Sequence, residues 1–309
     1  MISRRNIRVK VMQTLYALEA QEDAMKPGEP VRILQKHFDQ SGELLAYLLY
    51  IITEVARYAE TDSRKRASKH LPSEQDRNVN IKLAGNEHLW KMLEDPSLKK
   101  AWQAFKPQLA ENKEQIKRIY QELTGTEQYK RYIGEAGREK RSEKEMLEFI
   151  YNDLMLPSES FMGHIEELFT NWDDDVEMIN QLLSGYIHKP QSVNFQEIMS
   201  KEKWEFARNL LETVMEKKEL LMDLIRPKLK NWDPDRIATL DMILMQLGVS
   251  EFLFFETIPP KVTINEYIDL AKEYSTPQSG QFVNGILDSI HKDLLRDEKM
   301  HKVDFKANS

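Results

Sequence analysis

The chain has 309 residues, a formal net charge of -7, 31% charged residues and no cysteine. That length supplies a sizeable apolar core without covalent staples, and the lack of cysteine excludes disulfides and thiolate-held zinc or iron–sulfur clusters. An acidic balance argues against a surface that is basic all over, so any site for a polyanion has to come from local placement of charge.

Glycine (11) and proline (12) are scarce, and apolar residues recur three and four positions apart, so the chain is expected to be all-α. A first helix is expected from about Arg4 to Ala20, and Arg4, Arg5, Arg8 and Lys10 all precede the first acid, Glu19. The stretch after them is broken by Gln13, Thr14 and Glu19, which is unlike a secretory leader, so a cytoplasmic location is expected. At about 100° per residue, Ile7, Val11, Leu15 and Leu18 form the apolar stripe while Arg5, Arg8, Met12 and Tyr16 share one flank. Guanidinium groups grip phosphates and an aromatic ring stacks on bases, so this flank fits a single-stranded nucleic acid. A half-buried tyrosine beside solvated arginines gives the same pattern.

Lys26, Pro27, Gly28 and Pro30 mark a turn. Helices are then expected near residues 31–60, 76–94, 97–123, 142–154, 159–169 and 174–186, with breaks at Leu71-Pro72-Ser73, Asp95-Pro96, Gly134 to Gly137, Leu156-Pro157 and Lys189-Pro190. The longest apolar run, Leu44 to Ile52, is half of the roughly 20 residues that cross a bilayer, so no membrane span is expected. Arg64, Lys65, Arg66 and Lys69 form a second basic cluster, whose composition also belongs to a solvated helix end. Asp173, Asp174 and Asp175 complement a helix dipole and call for no metal.

The last third is the most legible. One helix is expected over Lys203 to Leu229, followed by a restart at Asn231-Trp232-Asp233-Pro234, with Asp233 as N-cap and Pro234 at the first helical position. The stripe Ile237, Leu240, Leu244 and Leu247 follows, and Ile258-Pro259-Pro260 ends that helix. Thr263-Ile264-Asn265-Glu266 has the form of a capping box, with Val262 and Tyr267 as its staple. Ser275-Thr276-Pro277 starts a final helix that runs to about Arg296. Its stripe is Val283, Ile286, Leu287, Ile290 and Leu294, which leaves Phe282 at the edge of the core beside Ser279, Gln281 and Asn284. Glu148-Phe149 before Asn171-Trp172-Asp173 echoes Glu205-Phe206 before Asn231-Trp232-Asp233, as a partial duplication or as convergent turn chemistry.

No phosphate-cradling glycine loop, metal-binding histidine pair or nucleophile with its base is legible, so no enzyme, cofactor or metal is expected. The run from Trp204 to Leu295, by contrast, resembles the transcription antitermination factor NusB family. The resemblance rests on Phe206-Ala207-Arg208-Asn209-Leu210-Leu211, on Leu224 to Trp232, on Asp235-Arg236-Ile237, and on Pro259 to Glu266, which is similar to the family's P-x-K-V-x-I-N-E segment. Phe282-Val283-Asn284-Gly285-Ile286-Leu287-Asp288 is similar to its F-V-N-G-V-L-D signature, and Arg4-Arg5, Arg8, Gln13 and Leu15-Tyr16 resemble its arginine-rich first helix.

The resemblance implies a NusB-like helical bundle of two subdomains, here enlarged by a further helical region. The expected division is an arginine-rich helix over 1–30, an insertion or extended N-terminal subdomain over 31–200 and a C-terminal subdomain over 201–309. It also implies binding of boxA-type RNA together with NusE, the small-subunit ribosomal protein, within a transcription elongation complex. By position it nominates Arg4, Arg5, Arg8, Gln13, Tyr16, Ser279 and Phe282 for RNA and Asp241 for the partner. Gln278 stands where the family usually has an acid, Gln281 where it has a lysine, and Gln246 where it commonly has an arginine. Two other readings fit: a helical protein-binding adaptor without RNA contacts, and an RNA-binding module like that fused to RNA cytosine methyltransferases, although the glycine-rich turn and cysteine of such enzymes are missing.

Overall fold

In the computed structural model, residues 2–21, 26–195, 197, 199–229 and 237–303 are described. They divide into two units: unit 1 comprises residues 39–198, and unit 2 comprises residues 2–38 and 199–309. All the regular elements among the described residues are helical. The Asn231 to Pro234 restart, with the Asn231-Trp232-Asp233 part of the internal echo, and the Asp235-Arg236 pair fall outside them.

Helix α1 spans Arg4–Glu19, with the Ser3 hydroxyl accepting from Asn6 N as its N-cap. Helix α2, Glu29–Ala67, is longer at both ends than the expected 31–60, and the division between units falls inside it, after Phe38. Its apolar run Leu44 to Ile52 is buried apart from Tyr50 and supplies the core of unit 1.

The rest of unit 1 is cut into shorter helices than periodicity implied. The expected helix over 76–94 is two: α3, Glu74–Arg77, and α4, Glu87–Glu94. Asn86 divides them because its Oδ1 accepts from both His88 N (2.9 Å) and Leu89 N (3.0 Å), which starts a new helix. The expected helix over 97–123 is likewise split into α5, Pro96–Phe105, and α6, Lys113–Gly125. Between them Lys106 takes a left-handed φ of 49° and Pro107 begins a 3-10 turn, since proline clashes with a continuing helix. Helix α7, Glu127–Gly134, capped by Thr126, was not expected. Helix α8, Lys140–Phe149, widens into a π turn over Ile150–Met155, and α9, Glu159–Leu168, and α10, Trp172–His188, follow.

In unit 2 the single helix expected over 203–229 is α11, Lys201–Glu216, then α12, Lys218–Ile225, then a 3-10 turn at Arg226–Lys228 that contains Pro227. Helix α13, Thr239–Phe254, is buried on every side from Ile243 to Phe252, as a helix enclosed by others must be. Helices α1, α11, α12, α14 (Pro260–Tyr274) and α15 (Ser279–Arg296) pack around it. Gly248 lets α15 come close: a Cβ there would lie 2.7 Å from Leu287 Cδ2.

The expected capping box at Thr263 to Glu266 is not formed. Helix α14 begins three residues earlier, with Pro260 at its first position, where the missing N–H costs nothing. Thr263 and Glu266 are inside the helix and bind other partners, while Val262 is 43% exposed and Tyr267 is fully buried, so they make no staple.

Candidate nucleic-acid interface

Unit 2 holds all the residues expected to contact RNA or a partner, and it separates them into an open group and a buried group. Arg4 is half-exposed, reaching Glu202 at 3.4 Å with its guanidinium 5.7 Å from the Phe206 ring centroid. Arg5 is also part-exposed and meets Glu273, in the last turn of α14, at 2.7 Å. Two to three turns farther along α1, Gln13 is half-buried and Tyr16 is 52% exposed.

Arg8 differs from the expectation of an open phosphate-binding group. Its side chain is 3% exposed; Nε donates to Glu251 Oε1 at 2.7 Å, Nη2 donates to Glu251 Oε2 at 3.1 Å, and Nη1 reaches Glu266 Oε2 at 3.2 Å. The rings of Phe206 and Tyr267 lie within 6 Å of the guanidinium. Glu251 also accepts from Thr263 Oγ1 and Tyr267 OH, both at 2.8 Å, so its buried carboxylate is saturated. Burial pulls the Arg8 pKa down, but the hydrogen bond to Glu251 and the charges of Tyr267, Glu251 and Glu266 outweigh it and hold the group above its ordinary value. Burial, then the Glu251 charge, raises Tyr267 well above the usual phenol range. Arg8 is thus a structural cation that ties α1 to α13 and α14. Met12, expected on the same flank, is 2% exposed.

Ser279 and Asp241 also differ from the expectation of solvent-facing contacts. Ser279 Oγ donates to Asp241 Oδ2 at 2.7 Å, and both residues are buried. The same Oγ lies 3.0 Å from Ser275 Oγ and 2.9 Å from Thr276 Oγ1, and it accepts from Thr276 N. These bonds fasten the turn between α14 and α15 to the first turn of α13. Gly280 tightens the turn further, since a Cβ there would lie 2.8 Å from Lys272 Cγ. On α15, Phe282 is half-buried, with Gln278, Gln281 and Asn284 exposed around it. The Arg5–Glu273 pair therefore sets the basic end of α1 against the helix that leads into this turn.

Sequence reasoning missed Glu251, Glu266, Tyr267 and Phe206 as the setting of Arg8. One signal was present: Glu251 stands in the mostly apolar second half of α13, and a buried carboxylate requires a partner.

A family model described as the NusB family matches residues 166–292. Transcription antitermination protein NusB of Methylacidiphilum infernorum (isolate V4) is 44% identical over 100 residues, 32% of this chain and 69% of that protein. NusB of Finegoldia magna is 37% identical over 133 residues, 43% of this chain and 89% of that protein. The chain belongs to the NusB family. NusB of Salinibacter ruber is 40% identical over 98 residues, with 61% of its own length spanned. T. maritima NusB, a solved structure, is 34% identical, with 43% of this chain and 85% of that one covered at a TM-score of 0.31. The family model leaves residues 1–165 unmatched, among them α1 and most of unit 1.

Of the three glutamines singled out in the sequence, Gln278 and Gln281 are exposed, whereas Gln246 is buried and its Nε2 donates to Met222 Sδ at 3.2 Å. A glutamine there satisfies its amide inside unit 2, where an arginine would bring a charge needing an acid. No helix among the described residues is long and apolar enough to cross a membrane, and no group of three or more histidines and acids among them could hold a metal ion.

Proposed function

We propose that this protein acts in transcription antitermination by binding a boxA-type single-stranded RNA, together with NusE, through α1 and the turn between α14 and α15. The observation that carries this reading is the Arg5–Glu273 pair at 2.7 Å, which sets the basic start of α1 beside the turn leading to Phe282. Arg4 and Arg5 take phosphates, Tyr16 and Phe282 offer ring faces, and Gln13 with the exposed amides of Gln281 and Asn284 meets base edges. Exposed ion pairs such as Arg4–Glu202 and Arg5–Glu273 contribute only about 0–1 kcal/mol, so their cations exchange readily for phosphate. Arg8, Ser279 and Asp241 act from behind this surface. Arg8 orients α1, Ser279 holds the start of α15, and Asp241 supports the partner contact by anchoring Ser279.

The test is a fluorescence-anisotropy titration of a labelled boxA-type RNA, with and without NusE, on the full chain and on Arg5→Ala with Tyr16→Ala. Loss of one phosphate contact flattens the logarithmic salt slope by about 0.7, and loss of a stacked base costs roughly 1–3 kcal/mol. An isotherm and slope equal to those of the unaltered chain remove α1 from the site. The adaptor reading draws on the engagement of both Arg4 and Arg5 by acids. It prevails if no RNA binds under either condition while NusE still does.

A further inference from the structure

Two adjoining concavities lie along α6 in unit 1, each of about 420 Å³. The first runs between the last turns of α2 and the start of α6, with Arg57, Tyr58, Arg64 and Lys65 on one wall and Lys113 and Lys117 on the other. The second continues from it, sharing Glu114 and Lys117, and is lined by Arg118, Gln121 and Ser160. Together the walls carry six cations against four carboxylates.

The carboxylates are already engaged. Glu111 accepts from Tyr50 OH at 2.5 Å, Glu54 accepts from Arg57 at 3.3 Å, and burial pushes the Glu54 carboxyl upward, towards its neutral form. Glu60 meets Arg64 at 3.7 Å and Glu114 meets Lys117 at 3.1 Å, which are exposed pairs of the weak kind. Lys65 and Arg118, one in each concavity, have no carboxylate partner among the described residues. Lys65 Nζ lies 5.4 Å over the centroid of the half-buried Tyr58 ring, and Arg118 reaches only the Ser160 hydroxyl.

A closed pocket with this lining would fit a small anion; an open trough fits a polymer. Lys113, Lys117 and Gln121 recur one helical turn apart along α6, so the polar lining runs lengthwise along that helix. The Tyr58 ring, with Lys65 over it and the Tyr120 ring 5.2 Å from it, holds the Lys65 ammonium in place at the trough wall. We propose that unit 1 holds a second site for single-stranded RNA, in which Lys65, Lys117 and Arg118 take phosphates of the backbone. This site is separate from the one on α1 and stands whether or not that one binds.

The experiment titrates the full chain with a short labelled oligouridine and reads stoichiometry and salt slope. Two oligomers per chain are expected. Lys65→Glu with Arg118→Glu removes one of them and weakens total binding roughly tenfold at low salt, as losing about two phosphate contacts should. Lys65→Gln with Arg118→Gln, which leaves the charge of the surface nearer to its original value, gives a smaller loss in the same direction. Circular dichroism equal to that of the unaltered chain certifies the fold. If both variants titrate like the unaltered chain, the trough is not an RNA site. Polyglutamate that binds the trough more tightly than oligouridine at equal charge also overturns the proposal, because the occupant is then an acidic polypeptide. Loss on Arg5→Ala with Tyr16→Ala alone sinks only the trough, and loss on the Lys65 and Arg118 variants alone sinks only the α1 site.

Discussion

Removing the Arg8 guanidinium tests whether the cation is a strut or a ligand. Arg8→Ala leaves the Glu251 carboxylate, 0% exposed, with the hydroxyls of Thr263 and Tyr267 as its remaining donors. Breaking one side of a buried pair costs roughly 3–5 kcal/mol, and the two retained hydrogen bonds place the expected value near the lower end. The double change Arg8→Met with Glu251→Gln removes both charges together, and recovers about 1–3 kcal/mol of that loss. Because the chain has two units, a single unfolding midpoint is a poor reporter, and hydrogen exchange of the α13 amides reads unit 2 directly. RNA affinity should fall in Arg8→Ala only as far as the folded population of unit 2 falls. Protection of α13 unchanged to within about 0.5 kcal/mol refutes the energetic reasoning. Loss of RNA binding with α13 protection intact shows that Arg8 touches the ligand after all.

Two glycines in unit 2 should respond in opposite ways to alanine. Gly248→Ala drives a Cβ to 2.7 Å from Leu287 and is expected to destabilise by about 1–3 kcal/mol, whereas Gly285→Ala meets nothing within 4 Å and should stabilise α15 by about 1 kcal/mol, both read from α15 exchange. Gly285 lies three residues after Phe282, so Gly285→Ala should weaken RNA binding by titration although the protein is more stable; unchanged affinity would mean that no ligand approaches that backbone. Lys302 Nζ donates to the carbonyls of Glu251 and Phe255 at the end of α13, and burial lowers its pKa from 10.5 to about 8. Between those values the unfolded chain binds more protons than the folded one, so stability relative to Lys302→Met should rise as pH climbs from about 8 towards 10.5. A urea midpoint of the unaltered chain that falls relative to that of Lys302→Met over that window would contradict the assignment.

The all-helical class, α1, the end of α15 at Arg296 and the kinship with NusB were legible in the residues, because each rests on local signals or on ordered short motifs. Breaks inside apolar-periodic stretches were less legible. Asn86 and Lys106 interrupt helices whose side-chain pattern continues through them, and periodicity alone does not register a cap. The Thr263 to Glu266 box failed as a helix start for a related reason. Proline at 260 already begins a helix, and the box residues gain more from the buried Glu251 and Arg8 charges than from capping a turn.

The residues themselves determined which side chains are available to a nucleic acid: arginines ahead of any acid, a tyrosine on their flank, and a polar turn before a final apolar stripe. Tertiary packing alone decided which of them remain free for it. Arg5 and Arg8 are three positions apart on one helix, and a helical wheel treats them alike. Helix α13 brings the buried Glu251 against α1, and a carboxylate sealed from water must be neutralised by whatever cation lies within reach. Arg8 is that cation, while Arg5, one turn earlier, meets only the rim of α14 and stays open to solvent.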